Sequence, residues 1–252
     1  MTSISYEKDG AVGIVTMSRP PHNLIDLAFL AELAAAYAQA VTGGCRAILL
    51  RSSMRHFCAG ADVNVLEAEN SSQHELQRMW AALEDVSIPT VAAVHGAALG
   101  GGFELALMCD MIIAADTASF GMAEASLGLL PLLGGVQRVV ARAGPARAKE
   151  LAMFGRRQDP QALERWGVIN LVAAESELAN VALSWARQLA AGPSVAFRSI
   201  KTVANLAARG GIAAADARQA EVNGWMWESQ DQRRGIAAFA VTGPGSAVFE
   251  GN

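Results

Sequence analysis

The chain has 252 residues, of which 52% are hydrophobic and 17% charged, with a formal net charge of −4. That composition excludes intrinsic disorder and gives enough chain for a sizeable core without disulfide or metal staples. The absence of a basic block disfavours a nucleic-acid groove, and three cysteines with no C-x-x-C spacing point to neither a disulfide framework nor a zinc site.

In chain order, residues 2–8 and 11–17 read as two strands around Asp9-Gly10, a hairpin signal. A helix is predicted over 26–41, with Asp26 as its cap and Gly43-Gly44 beyond its end, followed by a short strand at 47–50. Ser72 and Glu75 form a capping-box pattern ahead of Leu76, Met79, Trp80, Leu83 and Val86 at helical spacing. Residues 90–95 read as a buried strand, a glycine turn and a helix at 102–109 follow, and 111–115 is a further strand. Helices are predicted at 145–154, at 160–166 with Asp159-Pro160 as cap and first residue, and at 175–191, 194–209, 213–229 and 231–240, with a loose tail from Val241. Strands alternating with helices and then a run of helices indicate an α/β fold with a helical C-terminal part. The polar first residues lack a signal-peptide core, and the most apolar stretch, 88–115, is broken by His95, Glu104 and Asp110. A soluble cytoplasmic protein with no membrane span is the expectation.

Several signatures are missing: G-x-G-x-x-G, the phosphate-binding G-x-x-x-x-G-K-[ST], G-x-S-x-G and H-E-x-x-H. What stands in their place is three segments. The first is Phe57-Cys58-Ala59-Gly60-Ala61-Asp62; the second runs from His95 through Gly100-Gly101-Gly102 to Glu104; the third is Phe120-Gly121-Met122-Ala123-Glu124, leading to Pro131 and Gly134-Gly135. Glycines between a buried strand and a helix let a ligand reach the main chain, and the helix start offers N–H groups to a developing anion. Glu104 shares its helical face with Met108 and Met111, so its carboxyl is predicted to lie in apolar surroundings with a raised pKa, suited to acid–base work. Glu124 and the Ala61-Asp62 loop are unremarkable taken alone. The histidines have no metal spacing, and Cys109 reads as a small core residue.

Taken together these segments resemble the enoyl-CoA hydratase/isomerase (crotonase) family. The resemblance includes R-P-P-H-N-L-I-D near the start, F-C-A-G-A-D, the long I-P-T-V-A-A-V-H-G-A-A-L-G-G-G-F-E-L-A-L-M-C-D run, and S-F-G-x-x-E with L-G-L-L-P-x-x-G-G. It implies a spiral of ββα units over 1–190 and a C-terminal helical region over 191–252 that packs in a homotrimer or dimer of trimers. It implies reversible syn addition of water to a 2-enoyl-CoA thioester. Ala61 and Gly101 would donate N–H groups to the thioester oxygen. Glu104 would activate water and Glu124 would deliver the proton. Ala59, Gly60, Asp62, Gly100, Leu132 and Leu133 would contact substrate. No metal or separate cofactor is implied; coenzyme A arrives as part of the substrate. The alternatives are an isomerase, lyase or hydrolase acting on acyl-CoA, or a non-catalytic acyl-CoA binder. Asn64 and Val241-Thr242-Gly243 stand where family hydratases often carry CoA-binding cations, and Leu132-Leu133 where they often have Gly-Ala.

Overall fold

A computed structural model describes residues 2–62 and 70–252 of the chain. Strands β1 (Ile4–Asp9) and β2 (Val12–Met17) form the expected hairpin. Their register pairs Asp9 with Val12, and Gly10 takes the turn at φ +59°, a conformation open to glycine at little cost. Helix α1 (Leu27–Thr42) starts where predicted: the Asp26 carboxylate accepts the Phe29 N–H at 2.7 Å. After β3 (Ala47–Ser52), helix α2 covers Asn70–Glu84, so Ser72 lies inside the helix and is no cap.

Strand β4 (Thr90–Val94) is buried throughout, as its β-branched and alanine content requires for a strand covered on both faces. Two three-residue strands escape sequence periodicity: β5 (Ala97–Leu99) and β7 (Ser119–Gly121), on either side of α3 (Gly101–Met108) and β6 (Met111–Ala115). Helix α4 spans Gly135–Phe154, ten residues earlier than the predicted start; Gly144, at φ +81°, breaks the helical path just before Pro145. Helix α5 (Pro160–Arg165) is capped by Asp159 as expected, and β8 (Leu171–Ala173) was not anticipated. Helices α6 (Leu178–Ala191), α7 (Ser194–Gly210), α8 (Ile212–Glu228) and α9 (Gln230–Thr242) complete the chain close to their predicted bounds.

The main sheet has the order β1-β2-β3-β4-β6-β8, parallel except for the first hairpin, and β5 pairs with β7 in a second, two-stranded sheet. Units β4-β5-α3 and β6-β7-α4 therefore repeat one plan. Each sends its first strand into the large sheet and its second into the small one, then turns into a helix. Bridges Cys58↔Ala98 and Ala98↔Phe120 set three turns of this spiral side by side. The segments after Cys58, after Leu99 and after Gly121 emerge together, and the site is built from them.

The tail is not loose. Asp231, only 1% exposed, accepts the N–H groups of Glu250 and Gly251 at 2.9 and 2.6 Å. Arg46 donates to the carbonyls of Phe249 and Gly192, tying the tail to the core. Burial works against the Asp231 charge, but these N–H donors and Arg234 hold its carboxyl below the usual range.

Close approach of backbones depends on one glycine in particular. A Cβ on Gly102 would fall 2.1 Å from the Cys58 carbonyl oxygen. Gly102→Ala is therefore expected to push α3 away from the 57–61 segment at a cost of about 1–3 kcal/mol or more. A melting temperature within 1 °C of wild type by circular dichroism, a change of roughly 0.5 kcal/mol or less at this size, would contradict that.

Candidate active site

Segment 57–61 is fixed from behind. Asn23, fully buried, accepts the Arg19 N–H at 2.7 Å and donates to Ser52 Oγ and the Phe57 carbonyl at 2.8 and 2.9 Å. The Cys58 thiol lies 2.9 Å from the Asn23 carbonyl oxygen. Ile25 then pairs with this segment as a parallel bridge: its N–H goes to the Gly60 carbonyl at 2.9 Å, and its carbonyl accepts the Asp62 N–H at 2.8 Å. In such a bridge the intervening residue directs its own N–H the other way. The Ala61 N–H is thus turned from Ile25 toward Gly101, whose Cβ position would lie 3.4 Å from that nitrogen.

Gly101 is the first residue of α3 and so has no intrahelical acceptor for its N–H. Gly100 at φ +49° makes the turn before it and donates its own N–H to the Gly121 carbonyl at 2.8 Å. Among the described residues the amides of Ala61 and Gly101 have no hydrogen-bond acceptor, and they stand beside each other at a positive helix end. Both residues line a cavity of about 240 Å³.

The same cavity is lined by Glu104 and Glu124. Glu104 is 1% exposed on a helix whose eight residues are all buried; Met108 shares that helix as expected, but Met111 does not, because the helix ends and β6 begins there. Its Oε1 accepts two main-chain N–H groups, from Leu133 at 2.9 Å and from Gly135, the first residue of α4, at 2.7 Å. Burial pushes its carboxyl up to about 7; the nearby Glu124 adds to the rise, while the two N–H groups and Arg138 oppose it. Gly135 must lack a side chain, because a Cβ there would lie 2.8 Å from Glu104 Cγ.

Glu124 opens a short 3₁₀ turn, Glu124–Leu127, directly after β7. Burial raises its pKa too, and Oε2 is buried without a hydrogen-bond partner among the described residues. Its Oε1 lies 2.7 Å from the place a Cβ on Gly100 would take. Glycine at that position thus serves both the left-handed turn and the carboxyl packed over it.

Of the remaining expected residues, Ala59, Gly60, Gly100, Leu132 and Leu133 all line the cavity. Asp62 stands just past the lining, engaged through its backbone with Ile25. Asn64 lies outside the described residues. Val241 is exposed near the end of α9. Arg55 is exposed, and with Arg157, His22 and His95 it lowers the pKa of His56, after burial the main cause. Cys109 is buried as a core residue, and His95 Nε2 is 2.7 Å from the Met54 carbonyl oxygen, which engages that ring nitrogen. No cluster of metal-ligating side chains occurs among the described residues.

Arg138 was not singled out in the sequence. It pairs with Glu84 at 2.6 Å and donates to the Leu133 and Gly134 carbonyls at 2.9 and 3.0 Å. It thereby braces the loop whose amides hold Glu104. The signal available was an arginine three residues after Gly134-Gly135, one turn into the helix that begins there.

The arrangement offers two amide donors for a carbonyl oxygen that gains charge, and two carboxyls to move protons next to it. The profile of the family described as enoyl-CoA hydratase/isomerase matches residues 7–250. A probable enoyl-CoA hydratase of Mycobacterium bovis is 34% identical over 242 residues, covering 94% of each chain. A carnitinyl-CoA dehydratase of Proteus mirabilis is 35% identical over 207 residues, 80% of this chain and 79% of that one. Among solved structures, an enoyl-CoA hydratase subunit I of Geobacillus kaustophilus superposes with a TM-score of 0.91 at 34% identity, over 100% of this chain and 99% of that one.

The buried Glu104 has a consequence for stability. Its carboxyl titrates near 4.5 when solvated and near 7 in the fold. Between those values the folded state holds the proton more tightly, so stability falls as pH rises and the loss is complete above about 7. Glu104→Gln keeps an oxygen acceptor and removes the charge. The variant is expected to be more stable than wild type by about 2–3 kcal/mol at pH 8, with the gain shrinking to under about 1 kcal/mol at pH 5. Urea unfolding at the two pH values measures this; equal gains at both would contradict it.

Proposed function

The chain belongs to the enoyl-CoA hydratase/isomerase family, and from that premise we propose that it catalyses the reversible addition of water to a 2-enoyl-CoA thioester, giving the 3-hydroxyacyl-CoA. The observation that carries this reading is the presence of both Glu104 and Glu124 in the lining of one cavity with the amides of Ala61 and Gly101.

Water attack at the β-carbon pushes electrons toward the thioester oxygen. Two fixed N–H donors meet that charge without reorganising, and such a donor is typically worth ~2.7–4 kcal/mol. Glu104 accepts the proton of the attacking water. The two main-chain N–H groups on its Oε1 favour the ionised form and fix the carboxylate, leaving Oε2 for water. Glu124 delivers a proton to the α-carbon; burial raises its pKa, and no donor among the described residues bonds its Oε2. Two acids suit hydration, which handles protons at two carbons, better than a transfer that needs one.

Coenzyme A enters as part of the substrate. Arg55, exposed next to His56 in the segment that leads to Ala59-Gly60-Ala61, is the cation we assign to its phosphates in place of those missing at Asn64 and Val241. The three buried free cysteines fit a reducing cytoplasmic setting. The exposed Ile212, Trp227, Phe239 and Val241 of the C-terminal helices fit burial between subunits of a homotrimer or dimer of trimers. Residues 1–190 then form the catalytic core and 191–252 the assembling region.

The test is hydration of crotonyl-CoA, followed by loss of enoyl-thioester absorbance. Wild type is expected to turn over, with kcat/KM rising with pH through about 7 as Glu104 ionises. Glu104→Gln and Glu124→Gln should each lower kcat by roughly 10²–10⁴. Wild-type rates in either variant would remove that residue from the mechanism, and no turnover on 2-enoyl-CoAs of any length would reject the reading.

A further inference from the structure

A cavity of about 570 Å³ shares no lining residue with the acyl cavity and is more than twice its size. That volume falls within the range of small-molecule sites, roughly 300–1,000 Å³. Helices α3, α4, α6 and α7 all contribute to its wall, which includes the apolar side chains of Met108, Leu189, Phe197 and Ile200.

The charges on this wall do not balance. Three cations, Arg138, Arg142 and Lys201, line it with two carboxylates, Glu84 and Asp110. Arg138 is paired with Glu84 at 2.6 Å and Lys201 with Asp110 at 2.8 Å. Arg142 forms no ion pair with a carboxylate among the described residues. Its Nη1 donates to the Val168 carbonyl at 3.1 Å, and its Nη2 donates to the carbonyls of Leu107 and Cys109 at 3.0 and 2.7 Å. Leu107 and Cys109 line the same cavity, so the guanidinium is pinned at its wall. Its Nε–H has no acceptor among the described residues. Three carbonyls orient a guanidinium and leave its net charge in place. A half-buried cation beside apolar side chains has lost much of its water, which makes a counter-charge worth more there than at an open surface.

We propose that this cavity is a second ligand site, separate from the acyl cavity, that takes an aliphatic monoanion. The carboxylate head meets Arg142, and a medium-length hydrocarbon tail lies along Met108, Leu189, Phe197 and Ile200. One uncompensated cation selects one negative charge, which disfavours a coenzyme A ester with its several phosphate charges. The ligand class is thus a free fatty acid rather than its thioester.

Isothermal titration of the full chain with decanoate, octanoate and decanol tests this, at pH 8 where the carboxylates are ionised. Decanoate is expected to bind, and octanoate to bind roughly tenfold more weakly for the loss of two buried methylenes. Decanol should bind roughly tenfold or more below decanoate, the worth of a hydrogen bond between charged groups. Arg142→Gln should erase the preference for decanoate over decanol. Ala204→Trp places bulk in the cavity from an exposed position on α7 and should block decanoate. The site is overturned if wild type binds no decanoate, if it binds decanol equally well, or if Arg142→Gln keeps the preference. Decanoate binding that survives Ala204→Trp also overturns it and puts the ligand elsewhere. Should Arg142→Gln fail to fold, the decanol comparison and Ala204→Trp decide. Binding is read without turnover, so its failure leaves the hydratase reading untouched.

Discussion

A carboxylate with almost no access to water, gripped at one oxygen by two backbone amides, is the constraint on which this structure turns. Ionising Glu104 in an apolar helix is costly, and the amides of Leu133 and Gly135, with the charge of Arg138, offset part of that cost. Those amides must come from a loop held to within tenths of an ångström. Gly135 supplies the space, and the Arg138–Glu84 pair supplies the brace. The pair is partly buried and its arginine also donates to two carbonyls, so its value is positional more than Coulombic. The result is a carboxyl pushed up to about 7, kept there at the expense of fold stability.

The spiral topology brings the rest of the chemistry to that carboxylate. Pairing of β5 with β7 puts Glu124 over Gly100, and the bridge between Cys58 and Ala98 brings Ala61 beside Gly101. Each contribution comes from the end of a short strand in a successive turn. A group so placed is set by main-chain hydrogen bonds, which gives the amide donors their fixed aim. Leu132 and Leu133, which line the cavity with Glu104, belong to the loop whose amides hold that carboxylate, so one support fixes both.

Much of this was legible before any coordinates. Glu104 declared itself because a charge amid Leu105, Met108 and their neighbours has few structural excuses. Asp26 and Asp159 marked their helix starts by cap chemistry that needs only local contacts. Glu124 did not declare itself, since its importance comes from Gly100, twenty-four residues earlier and adjacent only through sheet pairing. Strands β5, β7 and β8 are three residues each, too short for a period of two to register. The first half of α4 was hidden by Gly134, Gly135 and Gly144, which read as loop but serve the carboxylate and a helical break. The tail looked free because Asp231 resembles an ordinary surface acid, yet it is buried as an acceptor for distant amides. The substitution at Asn64 lies outside the described residues, so its reading stays with the sequence.

The most direct measurement of the central claim is the titration of the Glu104 carboxyl by ¹³C NMR, in wild type and in Glu124→Gln. An apparent pKa near 7 is expected in wild type and a lower one once the neighbouring carboxyl is made neutral, because Glu124 contributes to the rise. A Glu104 carboxyl that titrates at the ordinary 4.5 in both proteins would mean that neither its burial nor its neighbour is as described.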